Sequence, residues 1–250
     1  MSFPALTLIR LVLFTRFRRN SKKYTFDKCV KAQVPCEPDA DVREFADTVT
    51  GLVADACAGR NTALFTASVA KSMAQHERTS IFLPLVKELG KRKKHFSISY
   101  GFFGITDSAL VNLISEKNVP VARICANMGP LLTELIDFDE LNAILEKGCM
   151  LPHFLLLQLE ARSSPKTLGT LCMMDLANPC YLQPTEPSYH ISASSLTKSV
   201  AAFKKVAISL STPGYIGTIP FHESLLTTII APFLGVNGHA TVMLNLDVSC

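Results

Sequence analysis

The chain has 250 residues, 48% hydrophobic and 18% charged, which suffices for one sizeable buried core. Its 25 basic against 21 acidic residues leave a balance of only +4, so bulk charge demands no polyanionic partner. No Pro/Gly/Ser-rich linker, repeat or low-complexity run divides the sequence, which excludes a string of modules and predicts one domain over residues 1–250.

Near the start, Leu6 to Phe14 is apolar but interrupted by Arg10, and Arg16, Arg18, Arg19, Lys22 and Lys23 follow it. The charges lie on the wrong side for a secretory signal, and the run falls far short of the roughly twenty apolar residues of a membrane span. An edge strand followed by a basic surface turn is expected instead. From Val42 to Cys57, a helix carries Val42, Phe45, Val49, Leu52, Val53 and Ala56 on one face. Lys91-Arg-Lys-Lys94 reads as a solvated turn without the interleaved aromatics of an RNA-binding surface. It leads into His95-Phe-Ser-Ile-Ser-Tyr100, which alternates as a strand does.

The apolar run Thr170-Leu-Cys-Met-Met174 ends in Asp175-Leu-Ala177 and breaks at Asn178-Pro179. A buried strand closing on an aspartate and a turn is how P-loop folds present a carboxylate to a metal-bound phosphate. A helix follows from about Ser195 to Leu210, with Leu196, Val200, Phe203 and Val206 forming an apolar stripe and Lys198, Lys204 and Lys205 on its other face. Then come a turn at Pro213-Gly214, Ile219-Pro-Phe221, a second amphipathic segment through Leu226, Ile229, Ile230 and Phe233, and Leu234-Gly-Val-Asn237. An alternating strand from Ala240 to Leu246 closes the unit.

The eight cysteines, at 29, 36, 57, 125, 149, 172, 180 and 250, show no CxxC or Cys/His metal spacing. Cys57 and Cys172 fall on apolar faces, as reduced core thiols of a cytosolic protein do. The six histidines are scattered, His153 at a strand start, and no metal site is expected.

The order strand-Asp175-Leu-Ala-turn, then LTKSVAAFKKVAISL, TIPFHESLLTTIIAPFLGVNG and a final strand, resembles the C-terminal half of the kinesin motor domain. There the pattern runs DLAGSE, INKSLxALGxVIxAL and IPYRDSKLTxLLxxxLGGN. The front half is similar to the same family more thinly. Tyr24-Thr-Phe-Asp27 resembles its FxFD strand end, Gly59-Arg-Asn-Thr-Ala-Leu-Phe65 its GxNGTIFAYG approach to the P-loop, and His95 to Tyr100 its VSYxEIYNE strand. Ile144-Leu-Glu-Lys-Gly148 resembles the helix before switch I, and Pro152 to Leu159 the strand after it. The resemblance covers residues 24–249. It implies an abbreviated three-layer α/β fold of the kinesin/P-loop kind, a mostly parallel central sheet flanked by helices.

The family's working residues are largely missing. A phosphate cradle needs GxxxxGK[ST], whose glycines let successive backbone N–H groups converge on phosphate. The loop here is Phe65-Thr-Ala-Ser-Val-Ala-Lys71-Ser72, glycine-free and about three residues short of that pattern. Of the family's nucleotide site, Lys71, Ser72 and Asp175 are the remnants. Only Cys149-Met-Leu-Pro152 lies between Gly148 and His153, where the family has the longer NxxSSRSH segment of switch I, and DLAGSE has become Asp175-Leu-Ala-Asn178-Pro179-Cys180 without its Glu. No RxRP adenine motif is found near Met1, and the sequence stops at Cys250 before a neck-linker, so no stepping is expected.

These departures imply a catalytically inactive pseudo-motor, without catalytic residues, acting as a microtubule- or protein-binding adaptor or regulator in the cytoplasm and on the cytoskeleton. ATP and Mg²⁺ enter only with a functional nucleotide site, and nucleic acid and membrane are not expected as partners. Kinesins meet the acidic tubulin surface with basic residues on the helix after switch II and on IPYRxSKLT. Lys198, Lys204 and Lys205 are therefore the candidate microtubule contacts, although His222 and Leu225 replace the usual Arg and Lys and the lysines equally suit a solvated helix face. No heptad run provides a coiled coil, so a monomer is expected. The alternatives are an ATP-dependent motor with a divergent nucleotide site and a decayed, non-functional gene product.

Overall fold

A computed structural model describes residues 10–14, 28–30, 38–68, 82–106, 109–119, 129–147, 153–176, 193–212, 215–234 and 238–245. In chain order its strands are β1 (Arg10–Phe14), β2 (Lys28–Val30), β3 (Asn61–Ser68), β4 (Phe96–Ile105), β5 (Leu110–Asn112), β6 (Lys117–Val119), β7 (Thr133–Glu134), β8 (His153–Ala161), β9 (Ser164–Asp175) and β10 (Gly238–Asn245). The helices are α1 (Pro38–Cys57), α2 (Leu83–Arg92), α3 (Phe138–Lys147), α4 (Ala193–Ser211) and α5 (Leu225–Leu234).

All ten strands form one sheet in the order β2-β1-β10-β3-β9-β8-β4-β5-β6, with β7 beside β4. From β2 through β9 the pairs are parallel, and from β9 through β6 they are antiparallel. The expected three-layer α/β arrangement is present, with its parallel character confined to one half. The cause is local: only Arg162 and Ser163 join β8 to β9, and a parallel pair needs a crossover of a dozen residues or more.

Period-two alternation sorts the sheet's side chains onto two cores. Leu64, Leu155, Leu157, Leu159, Leu171 and Met173 face α1, α2 and α3, where they meet Val49, Leu52, Val53, Val86, Leu89 and Leu141. Ala63, Phe65, Phe154, Leu156, Cys172 and Met174 face the other way, onto Val206 of α4 and Leu226, Ile229, Ile230 and Phe233 of α5. Central strands buried on both faces read as continuous apolar runs, which is why Thr170 to Met174 shows no polar alternation.

Two expectations are corrected. The apolar run near the N-terminus is not an edge strand, because β1 pairs with β10 on one side and β2 on the other, Lys28–Val30 supplying the outer position. On α4, Leu196 and Val206 are buried and Phe203 packs against the core that holds Val206, but Val200 is 40% exposed. The buried line continues through Ala202, and Val200 sits roughly 90° round the helix from its centre. The segments Tyr24–Asp27, Val69–Ser72, 149–152 and Asn178–Cys180 lie outside the described residues.

Candidate functional site

The parallel half of the sheet brings the ends of β3 and β9 together. Asp175, the last residue of β9, is in register with Thr66 of β3 on one side and with His153, the first residue of β8, on the other. Residues in register point to the same face, so hydroxyl, carboxylate and imidazole form one row. All three are buried, Asp175 at 5% exposure. The Thr66 hydroxyl donates to the Met174 carbonyl at 3.4 Å, and the Leu176 N–H donates to the Thr66 carbonyl at 2.7 Å, so the two strand ends are tied together one residue past the sheet. His153 packs edge-on against Phe102, with ring centroids 5.3 Å apart. The row thus lies where β3 and β9 end; Lys71 and Ser72 lie outside the described residues.

The lysines are placed elsewhere. Helix α4 turns Leu196, Ala202 and Val206 inward and sets Phe203 against Phe65 at 6.0 Å, which leaves Lys198, Lys204 and Lys205 on its solvent side. Lys205 is neutralised by Glu223, Nζ to Oε2 at 2.6 Å, while Lys198 and Lys204 project into solvent. Asp175 and the three lysines therefore belong to separate places, a buried strand end and an outer helix face. His222 is exposed beside Glu223.

A charged cluster that sequence reasoning missed stands at the opposite end of the same strands. The Asp55 carboxylate takes Arg60 Nη1 at 3.0 Å on one oxygen and His239 Nδ1 at 2.5 Å on the other. It ties the end of α1 to the entries of β3 and β10. Gly59, at φ 86°, makes the left-handed turn that brings Arg60 back onto that carboxylate. His239 is 184 residues from Asp55 in sequence, and no spacing rule reaches that far. Among the described residues no group of His, Cys, Asp and Glu could hold a metal ion, and no helix is long and apolar enough to cross a membrane.

No family model matches the sequence, and no curated protein matches it. Solved structures do. A kinesin whose mutants reveal a signalling pathway for activation of the motor ATPase superposes with a TM-score of 0.66 at 17% identity, over 95% of this chain and 91% of that one. The motor domain of Kar3, a kinesin-related protein of Saccharomyces cerevisiae, gives 0.63 at 15% over 95% and 92%. KIF14 with ADP in complex with a microtubule gives 0.67 at 14% over 98% and 91%.

This chain has the kinesin motor-domain fold. Coverage above nine-tenths of both chains means that the kinesin fold accounts for the whole sheet and both helical layers, including the front half, where the sequence resemblance was thin. At 14–17% identity the likeness is one of backbone path.

Proposed function

We propose that this chain is a catalytically silent kinesin-like protein that binds microtubules through the outer face of α4, in the cytoplasm and on the cytoskeleton. The observation that carries the reading is the contrast between a glycine-free loop after β3 and an open lysine-bearing helix. At the phosphate end, the described polar side chains are the buried Asp175 carboxylate, the His153 imidazole and the Thr66 hydroxyl, the last already committed to the Met174 carbonyl. A magnesium triphosphate needs converging backbone N–H groups as well as a lysine and a hydroxyl, and the loop after β3 has no glycine to make them converge. These residues do not fit the group.

On the outer face, Lys198 and Lys204 stand free of carboxylates among the described residues, and no acidic residue lies on α4. A helix with that balance is attracted to an acidic protein surface. The microtubule in the KIF14 complex belongs to that protein; the shared fold brings the same partner to this chain as part of the proposal. Co-sedimentation with polymerised tubulin, run beside an ATP-consumption assay, tests both halves. Binding at low salt with ATP consumption at background is the expected result. ATP consumption stimulated by polymerised tubulin overturns the silent half, and failure to pellet with tubulin overturns the binding half.

A further inference from the structure

Among the described residues, six large hydrophobic side chains are exposed, and four of them fall on α4 and the connection that follows it. Val200 is 40% exposed, Ile208 54%, Tyr215 45% and Ile216 102%. Helical spacing sets Val200, Lys204 and Ile208 along one outward line. The line runs on into the connection, since Thr212 Oγ1 donates to the Ile208 carbonyl at 2.7 Å and the Tyr215 N–H donates to the Thr212 carbonyl at 3.2 Å. The Tyr215 hydroxyl donates to the Thr218 carbonyl at 3.4 Å, closing a small loop with Ile216 at its tip. A Cβ at Gly217 would stand 2.6 Å from the Tyr215 hydroxyl oxygen, so glycine lets the ring lie close against the loop. An isoleucine wholly in water on a hydrogen-bonded loop is held out, at a solvation cost, in the way an interface anchor is.

We infer that the microtubule contact of this chain is anchored by an apolar spine, Ile216, Tyr215 and Ile208, with Lys198 and Lys204 as flanking guides. The inference rests on the reading above and adds which residues hold the partner. The charges favour an acidic protein surface as the occupant: from residue 193 to 234 the chain has three lysines and one carboxylate, Glu223, which already holds Lys205. Two free lysines supply orientation and a weak, salt-screened pull. The spine supplies the contact that persists when salt screens that pull.

The test is co-sedimentation of the full chain with polymerised tubulin between about 50 and 300 mM salt, a span over which exposed charges become largely screened. Wild-type affinity is expected to fall less than about fivefold over that span, and Lys204→Ala to weaken binding less than about threefold. Ile216→Ser is expected to weaken it about tenfold or more, from the lost burial of one isoleucine. Ile216 contacts no core, so its variant keeps the wild-type melting temperature, and a drop in pelleting reads binding alone. Wild-type binding that is steeply salt-dependent, with Ile216→Ser and Ile208→Ser unaffected, overturns the spine and leaves the microtubule reading standing. No pelleting of the wild type at any salt overturns both. Ile216-dependent self-association without tubulin binding also overturns it, by making a second copy of the chain the occupant.

Discussion

Two glycines in the kinesin fold of this chain receive the same substitution with opposite expected outcomes. Gly169 lies on β9 where the end of α1 crosses it, and a Cβ there would stand 1.7 Å from the Ala56 carbonyl oxygen, 2.7 Å from its carbonyl carbon and 3.3 Å from its Cα. The first distance is half of the 3.4 Å at which ordinary contact begins. All three atoms are backbone, so no rotamer relieves the clash. The Ala56 carbonyl also accepts the Gly59 N–H at 3.0 Å, so retreat of the helix end disturbs the turn into β3 while lifting Leu52, Val53 and Ala56 off the sheet. Overpacking of this kind costs about 1–3 kcal/mol, and a backbone obstacle belongs at the upper end. At roughly 2–4 °C per kcal/mol for a chain of this size, Gly169→Ala should melt about 6–12 °C below wild type. Gly51 is exposed in the middle of α1 with nothing within 4 Å of its would-be Cβ, so Gly51→Ala should gain about 0.5–1 kcal/mol from helix propensity alone. Urea titration of both variants, with unchanged m values, isolates the stability change. Shifts of the same sign, or a Gly169→Ala midpoint indistinguishable from wild type, would refute the close approach of α1 to β9.

Tyr100 is buried, and burial first, then the hydrogen bond and charge of the Glu140 carboxylate, push its pKa above the ordinary 10.0. A raised folded-state value means stability that is fully present below about pH 10 and lost as pH rises further. Denaturant midpoints should therefore fall faster above pH 10 for wild type than for Tyr100→Phe, which at neutral pH should lie within about 1 kcal/mol of wild type. The Cys172 thiol is wholly buried, and burial pushes its pKa up, so native protein should resist alkylation there until denaturant is added, as peptide mapping would show. Asp55→Ala removes the partner of both Arg60 and His239; as the carboxylate is partly exposed, the loss should be about 1 kcal/mol in thermal melts, with tubulin pelleting unchanged.

The elements that were legible in sequence are those whose pattern is set by burial. The strand ending at Asp175, the helices around Val49–Ala56 and Leu226–Phe233, and the closing strand after Gly238 all stand where periodicity put them, because each faces a core on one or both sides. The parallel-to-antiparallel change at β9 and the outer position of β2 were not legible, since pairing depends on connection length and on which short segment takes the edge. Val200 misled because a four-residue step from Leu196 fits a stripe as well as it fits a flank. At the site, Asp175 was legible as a strand end, whereas Thr66 and His153 joined its row only once register was known. The apolar tip at Ile216 carried no periodic signal at all, because single exposed residues on a connection obey no period.

The distribution of exposed apolar surface bears on whether such a chain is a working protein or a decayed one. Internal deletion from a motor should leave uncovered sheet edges and apolar surface scattered wherever a lost segment once packed. Among the described residues the sheet ends in β2 and β6. Among the described residues four of the six exposed large apolar side chains lie on α4 and its following loop, the other two being Ile114 and Ile136, while Leu196, Phe203 and Val206 lie on the inner side of α4. Both cores are built from strand and helix side chains, none of which depends on a glycine-rich turn. A glycine-free turn after β3 therefore removes no support from either core. Under selection for folding alone, Ile216 and Ile208 would be free to become polar, since they stabilise nothing within the chain. On the proposed reading these side chains meet a partner, so Ile216→Ser should lower tubulin pelleting while leaving the melting temperature unchanged.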